Sequence, residues 1–500
     1  MQELTMEKDL NKKVSQATKW SSITEIAAKL VAPITNMILA RLLVPEAFGV
    51  VATLTMVVSF AEIFTDAGFQ KYLVQRQFEN DDDLNQSTDV AFWTNLCLSV
   101  LIWIGIACFA TPIANLVGSP GAELAIIVMS LQIPVLAFSS IQMARYRRDF
   151  DFKALFVVRM CTTAVPLVVT VPLALVFRSY WALVIGTLMR DIVNAAILTV
   201  RSKWKPRFYF NFAKLKQMLS FSMWTVVENI SFWLTSYIGT FIVGQALNAY
   251  YLGLYKTTIS TTGSYFALVT AATTPVLFSA LSRCQDDLAG FKDTFFRFQR
   301  MVAMLVFPLG FGIFVYRELA VGILLGQQWM ETADFFGLWS LTSAIAIIFS
   351  HYNSEVFRSM GKPKLSVLVQ VLHLAALVPL LLWSMDKGFT VLSVARSLVR
   401  LQMILVSMIA VWFVAKISFL KVLKNVWPSL VAATVMAAAG MCLRTVIDSI
   451  IWEIATVLIC VVIYAGVMML LPAGRRQLAE VPILNKILHL QKQDSKEENQ

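Results

Sequence analysis

Residues 145–217 read RYRRDFDFK ALFVVRMCTTAVPLVVTVPLALVF R SYWALVIGTLMRDIVNAAILTV RSKWKPRFYFNFAKLKQ. The two apolar stretches, 154–177 and 179–200, are each long enough to cross about 30 Å of hydrocarbon as an α-helix, and too long and too uniformly apolar for an alternating barrel strand. Little more than Arg178 separates them. Four basic residues (Arg145, Arg147, Arg148, Lys153) precede the first, and six (Arg201, Lys203, Lys205, Arg207, Lys214, Lys216) follow the second. Basic residues collect on the cytoplasmic side of a membrane, so this segment reads as a helical hairpin with both ends in the cytoplasm.

The same pattern extends in both directions. Apolar stretches fall at 20–41, 46–68, 89–110, 121–145, 154–177, 179–200, 218–241, 248–278, 296–318, 334–358, 364–385, 390–415, 428–447 and 451–471, about fourteen in all. When basic residues in the outermost turns of a stretch are counted with the adjoining gap, about 31 of the 42 Lys and Arg lie in every second gap and at the two ends, 4 (Arg41, Arg178, Arg317, Lys387) in the alternate gaps, and 7 deeper inside the stretches. This predicts an all-α, multi-pass membrane protein with both termini cytoplasmic. The chain is 58% hydrophobic and 15% charged with mean hydropathy +0.68, against about 25% charged in soluble domains, so no sizeable soluble domain is expected. The net charge of +11 is explained by the loops, and no nucleic-acid partner is expected. The first 19 residues are polar and show no cleavable leader. The six Cys form no CxxC pattern, so no disulfide, metal or cofactor is expected.

An internal repeat is visible. A shift of 204 places Ile34, Ile38, Leu43 and Gly49 on Ile238, Ile242, Leu247 and Gly253. A shift of 211 places Phe138, Ser139, Arg147 and Lys153 on Phe349, Ser350, Arg358 and Lys364. Six helices repeated in the same orientation relate by an axis along the membrane normal. The expected organisation is a cytoplasmic segment 1–19, an N-lobe 20–200, a cytoplasmic inter-lobe loop 201–217, a C-lobe 218–415, two further helices in 428–471 and a cytoplasmic tail 472–500, charged and disordered from Arg475 onward. Two such lobes around a central cavity form an alternating-access architecture.

Charges inside the spans carry the functional expectation, since each costs about 2.5–3.5 kcal/mol at the bilayer centre. The cations are Lys29, Arg159, Arg190, Lys256, Arg396, Arg400 and Arg444. Arg444 is expected to snorkel outward, and Arg159 lies close enough to the cytoplasmic end to do so. Lys29 shares a face with Ser22, Glu25 and Asn36, and pairing with Glu25 is its simpler explanation. Arg190 stands beside Asp191, which is expected to point elsewhere. Arg396 and Arg400 stack one turn apart, and that like-charge pair argues for an anion-facing role. Cations in both halves favour an anionic ligand, with phosphate a natural match. Lys29, Arg159, Arg190, Lys256, Arg396 and Arg400 are thus the candidate binding set. Among the acids, Thr55, Ser59, Glu62 and Asp66 form one stripe, and His351, Glu355 and Arg358 another; Glu228 stands alone. Glu62, Asp66, Glu228 and Glu355 are candidates for ion coupling, with structural ion pairing as the competing explanation.

Loop and helix-end blocks carry a resemblance. Arg41-Leu-Leu-Val-Pro45-Glu46-Ala-Phe48-Gly49, Phe64-Thr-Asp66-Ala-Gly68-Phe69 with Leu73-Val-Gln75-Arg76, and Tyr180-Trp181-Ala182-Leu183-Val184 come first. Leu252-Gly253-Leu254-Tyr255, Leu281-Ser282-Arg283, Leu325-Gly326-Gln-Gln-Trp329 and Gly361-Lys362-Pro363-Lys364 follow. In order and spacing these resemble the polysaccharide transport branch of the multidrug/oligosaccharidyl-lipid/polysaccharide exporter superfamily, over residues 20 to 415. The resemblance implies a flippase in the bacterial inner membrane that moves undecaprenyl-pyrophosphate-linked oligosaccharide by alternating access. Its partners would be the lipid-linked oligosaccharide, membrane lipid, and a polysaccharide polymerase and chain-length regulator; it would not be an enzyme. A drug–cation antiporter is an alternative that needs acids to dominate the cavity. A membrane polymerase or glycosyltransferase would need a larger outer region than these short gaps provide. A scaffold without transport is a third alternative.

Overall fold

The computed structural model describes residue 29 and residues 31–66, 68–362 and 364–480; inside helices, the side chains of residues 66, 220–225, 227 and 228 lie outside the description. The described residues are helical with short connections. In chain order the long helices are α1 (Val31–Leu42), α2 (Pro45–Asp66), α3 (Asp81–Cys108), α4 (Glu123–Arg148, interrupted at Leu131), α5 (Phe152–Phe177), α6 (Trp181–Arg201) and α7 (Phe212–Ala246). They continue as α8 (Ala249–Arg283), α9 (Leu288–Val315), α10 (Gln327–Ser359), α11 (Lys364–Met385), α12 (Phe389–Ala415), α13 (Phe419–Arg444) and α14 (Ile450–Leu470). Among the described residues, twelve helices are long and apolar enough to cross a membrane. The other two apolar stretches of the sequence fall on α1 and on the 35-residue α7.

Several helices overrun their apolar stretches, and polar caps are the cause. Asn80 accepts from Asp83 N, and three aspartates occupy the first turn of α3. Asn211 caps α7, accepting from Ala213 N and Lys214 N. Asp151, Asp287 and Ser418 cap α5, α9 and α13. A side-chain oxygen at the N-cap satisfies an amide that would otherwise lack a partner, and acids there suit the helix dipole. Pro166 gives up its amide, and the chain answers with a π-helical turn over Pro166–Thr170 inside α5.

The chain forms two compact units, divided between Thr257 and Thr258 within α8. In unit 1, α4 packs against α3 and α6, α7 against α2, and the short helix Phe69–Gln75 against α4. Arg148 ties that short helix down. Its Nη1 donates to Leu73 O and Arg76 O, both at 2.8 Å. The 201–217 loop is anchored by Asp89, whose Oδ1 accepts from Arg207 N at 3.0 Å, and by the Asp83–Lys214 ion pair at 2.6 Å.

Unit 1 also contains a reciprocal contact. A Cβ on Gly49 of α2 would lie 1.8 Å from Ala249 O, and a Cβ on Gly253 of α8 would lie 1.9 Å from Pro45 O. The 204-residue shift relates Pro45 to Ala249 and Gly49 to Gly253. Residue i touching the equivalent of j, while j touches the equivalent of i, is the pattern of a two-fold contact. Only Gly permits two helices to approach this closely.

In unit 2, α9 packs on α13 and α10, α12 on α11 and α10, and α13 on α14. The apolar window of α10 is 72% buried and that of α14 only 11%, so α10 is the central helix and α14 faces the surroundings. Phe295, Val306, Phe307, Ile348 and Val411 lie in the core. The tail departs from expectation. Pro472–Ala479 is a helix, started by Pro at its first position, and it packs against α14 and α13. Gln477 and Leu478 are buried, and the Arg300 guanidinium grips the Glu480 carboxylate at 2.7 and 3.3 Å. Residues 481–500 lie outside the description.

Candidate functional site

The two arginines of α12 define the most distinctive site. Arg396 and Arg400, four residues apart, lie on one helical face. Both guanidiniums sit over the ring of Trp339 on α10, at 4.7 and 3.7 Å from its centroid. Arg400 also donates to Ser343 Oγ, one turn beyond Trp339. Trp is the strongest aromatic partner for a cation, and a stack of half-buried guanidiniums of this kind is worth about 1–2 kcal/mol. The stack fixes the arginines at a depth of roughly 10 and 16 Å from the start of α12.

Arg400 lines a cavity of about 390 Å³ within unit 2. Trp339, Ser343, Ser350, His351, Gln370 and Ser407 contribute to its wall. Part of that wall is a π-helical turn, Ile347–His351, in the middle of α10. Such turns carry an extra residue, reorient the neighbouring side chains and recur at functional sites. The cavity therefore offers a guanidinium, hydroxyls and an amide, a donor set suited to anionic oxygens.

The other predicted cations are placed differently. Lys256 is half-buried, with Nζ 4.6 Å above the Tyr237 ring. Arg190 does not stand apart from Asp191. Its Nε donates to Asp191 Oδ1 at 3.0 Å and its Nη2 to Oδ2 at 3.4 Å. The expectation that Asp191 points elsewhere is corrected: the Asp191 side chain is only 6% exposed, and the long Arg190 side chain folds back to it because a buried carboxylate requires a partner. Arg159 is exposed and Lys29 half-buried; Glu25, the expected partner of Lys29, lies outside the described residues. Arg444 sits in the last turn of α13, where it donates to Val315 O at 2.6 Å and to Glu318 at 3.1 Å. It thus binds a carbonyl at the end of α9.

Among the acids, Glu355 is buried and accepts from Arg358 at 3.2 Å and from Ser354 at 3.4 Å. The side chains of Asp66 and Glu228 lie outside the description. Glu62 is half-buried and lines a second cavity, about 360 Å³, in unit 1. That cavity contains residues not proposed as site residues from the sequence: Gln70, Asn95, Ser139, Ser140, Asn194 and Asn229. Trp339 was also missed. The available signal was an amide or Trp inside an otherwise apolar helix, but it does not say which face the side chain occupies.

A bundle of long apolar helices with polar cavities between them defines a transporter-like membrane protein. The profile of the polysaccharide biosynthesis protein family (Polysacc_synt_3) matches residues 38–334, more than half of the chain, and the chain belongs to that family. It is similar to the succinoglycan biosynthesis transport protein ExoT of Rhizobium meliloti (strain 1021), at 27% identity over 339 residues and 67% of each chain. It also resembles the lipopolysaccharide biosynthesis protein WzxC of Escherichia coli (strain K12), at 21% identity over 64% of this chain and 65% of that one. Among solved structures, the lipid II flippase MurJ in an inward closed conformation matches with a TM-score of 0.73 at 13% identity, covering 89% of this chain and 97% of that one. That match establishes a shared fold.

Proposed function

We propose that this protein is a flippase that moves undecaprenyl-pyrophosphate-linked oligosaccharide across the bacterial inner membrane by alternating access, with both termini cytoplasmic. The observation that carries this is the Arg396–Arg400 pair on Trp339 beside a hydroxyl-lined cavity. Two cations one turn apart repel each other, and a diphosphate with charge on both phosphoryl groups relieves that repulsion. A stack on Trp holds the guanidiniums ready before the ligand arrives, so less ordering entropy is lost on binding. The family membership and the names of the relatives support the same reading.

Lys29, Arg159, Arg190 and Lys256 are secondary cations in this scheme. Arg190 would have to exchange Asp191 for the ligand. Glu62, Asp66 and Glu228 are the proposed coupling carboxylates. Glu355 could join them only by giving up Arg358. The lobes 20–200 and 218–415 would be the moving bodies, with a polysaccharide polymerase and a chain-length regulator acting on the product. The test is the double Arg396→Ala, Arg400→Ala variant, which should insert in the membrane at the normal level and lose polymer export. Normal export in that variant refutes the role of the pair.

A further inference from the structure

The cavities of the two units are equivalents under the internal repeat. With the 211-residue shift, Leu136, Ser139, Ser140 and Met143 of the unit 1 wall correspond to Ile347, Ser350, His351 and Ser354 of the unit 2 wall. They are similar in size, about 360 and 390 Å³. Their chemistry has diverged. The unit 2 wall carries Arg400 and His351. Among the described residues lining the unit 1 cavity there is no Lys or Arg; it has a carboxylate, Glu62, with the amides of Asn95, Asn194, Asn229 and Gln70.

We infer that the unit 1 cavity, with the aromatic stripe that adjoins it, binds the sugar rings of the transported molecule. This rests on the flippase reading and extends it to a second ligand chemistry. A pyranose has a rim of hydroxyls, each both donor and acceptor, and an apolar C–H face. Amides match the rim because each carries two donors and an acceptor oxygen. They are already ordered: Asn95 Nδ2 donates to Ser140 Oγ at 2.9 Å and Asn194 Nδ2 to Ser139 Oγ at 3.4 Å.

An aromatic surface matches the C–H face. Asn229, Trp233 and Tyr237 follow one another at four-residue spacing on one face of α7. Trp233 stacks on Tyr237 with centroids 5.6 Å apart and packs against Phe60 at 4.7 Å. Its Nε1 donates at 3.1 Å to Oγ of Ser59, which also lines the cavity. The polar pocket thus continues directly into the aromatic stripe. The volume falls in the range of organic-ligand pockets, about 300–1,000 Å³. Placing several amides inside membrane helices is costly, and a hydroxyl-rich ligand accounts for their clustering.

Binding is measured on the full chain in lipid nanodiscs with two probes: lipid-linked oligosaccharide extracted from the host, and undecaprenyl diphosphate without sugar. The wild type should prefer the glycosylated probe. Trp233→Ala combined with Asn194→Ala should weaken that probe about tenfold, a loss of one aromatic contact and one hydrogen bond, and leave the sugar-free lipid unchanged. Trp233→Phe, which keeps a ring, should retain most of the preference. Should the double variant fail to fold, Asn194→Ala alone should lower the preference about threefold. A preference that survives in these variants, or its absence in the wild type, overturns the inference. Wild type that binds neither probe refutes the flippase reading itself, whereas binding of both probes equally well removes only the sugar site.

Discussion

Replacing Gly49 by Ala should drive α2 and α8 apart. The new methyl carbon would start 1.8 Å from Ala249 O and would have to move about 1.6 Å to reach ordinary contact at 3.4 Å. The opposing atom is backbone, so no side-chain rotation relieves the clash and a helix must shift. Overpacking of this kind costs about 1–3 kcal/mol. Gly253→Ala should cost a similar amount, because its Cβ meets Pro45 O at 1.9 Å in the reciprocal position. One separation of the helices accommodates both methyls, so the double variant should be less destabilised than the two singles together; neighbouring sites couple by about 0.5–3 kcal/mol. Gly105→Ala in α3 is the control. No atom lies within 4 Å of its Cβ, and Ala in a helix interior gains about 0.5–1 kcal/mol over Gly. The assay is the thermal midpoint of the detergent-solubilised protein. Singles that melt like wild type, or singles whose effects simply add in the double, refute the reciprocal crossing.

Two further predictions follow from ion and ring contacts. Trp339→Ala removes the platform under both guanidiniums and should reduce polymer export about tenfold or more without reducing membrane insertion, whereas Trp339→Phe should be milder, because Trp is the better cation–π partner; export assays of the two variants decide this. Glu480→Gln removes the negative charge that Arg300 grips through two bonds while the Arg side chain is 20% and the Glu 30% exposed. Its expected cost is about 1–2 kcal/mol, read as a lower melting midpoint and faster tryptic cleavage at Arg475 and Arg476; unchanged values would show that the tail helix is held by packing alone.

The architecture was largely legible because membrane helices follow a local rule. A chain in hydrocarbon must satisfy its own backbone hydrogen bonds, so a sufficiently long apolar run becomes a helix whatever its neighbours. The same locality made Arg396 and Arg400 legible as a pair, since four-residue spacing places them on one face. Local reasoning failed at Asp191 because the reach of Arg190 back to the adjacent carboxylate depends on rotamers rather than on spacing. It failed for the tail because the charges at Arg475 and Arg476 obscured Gln477 and Leu478, which unit 2 buries. The unit 1 cavity was obscure for a related reason. A Ser or Thr in a membrane helix often bonds its own preceding turn, as Thr55 does to Val51 O at 2.7 Å, so a polar residue in a span does not by itself point to a ligand.

The sequence by itself therefore determined the class: helices long enough to span a bilayer, with charged residues inside them costly enough to need a purpose; the loop charges and the repeat add an expected orientation and lobe division. Each is a property of one segment, or of two segments compared. Only the tertiary structure decided which side chains meet. Trp339 and Arg400 lie far apart in the chain, and Ser59 and Trp233 farther still. Their contacts depend on the rotation and depth of whole helices, which are set by packing at places such as Gly49 and Gly253 rather than by the polar residues themselves.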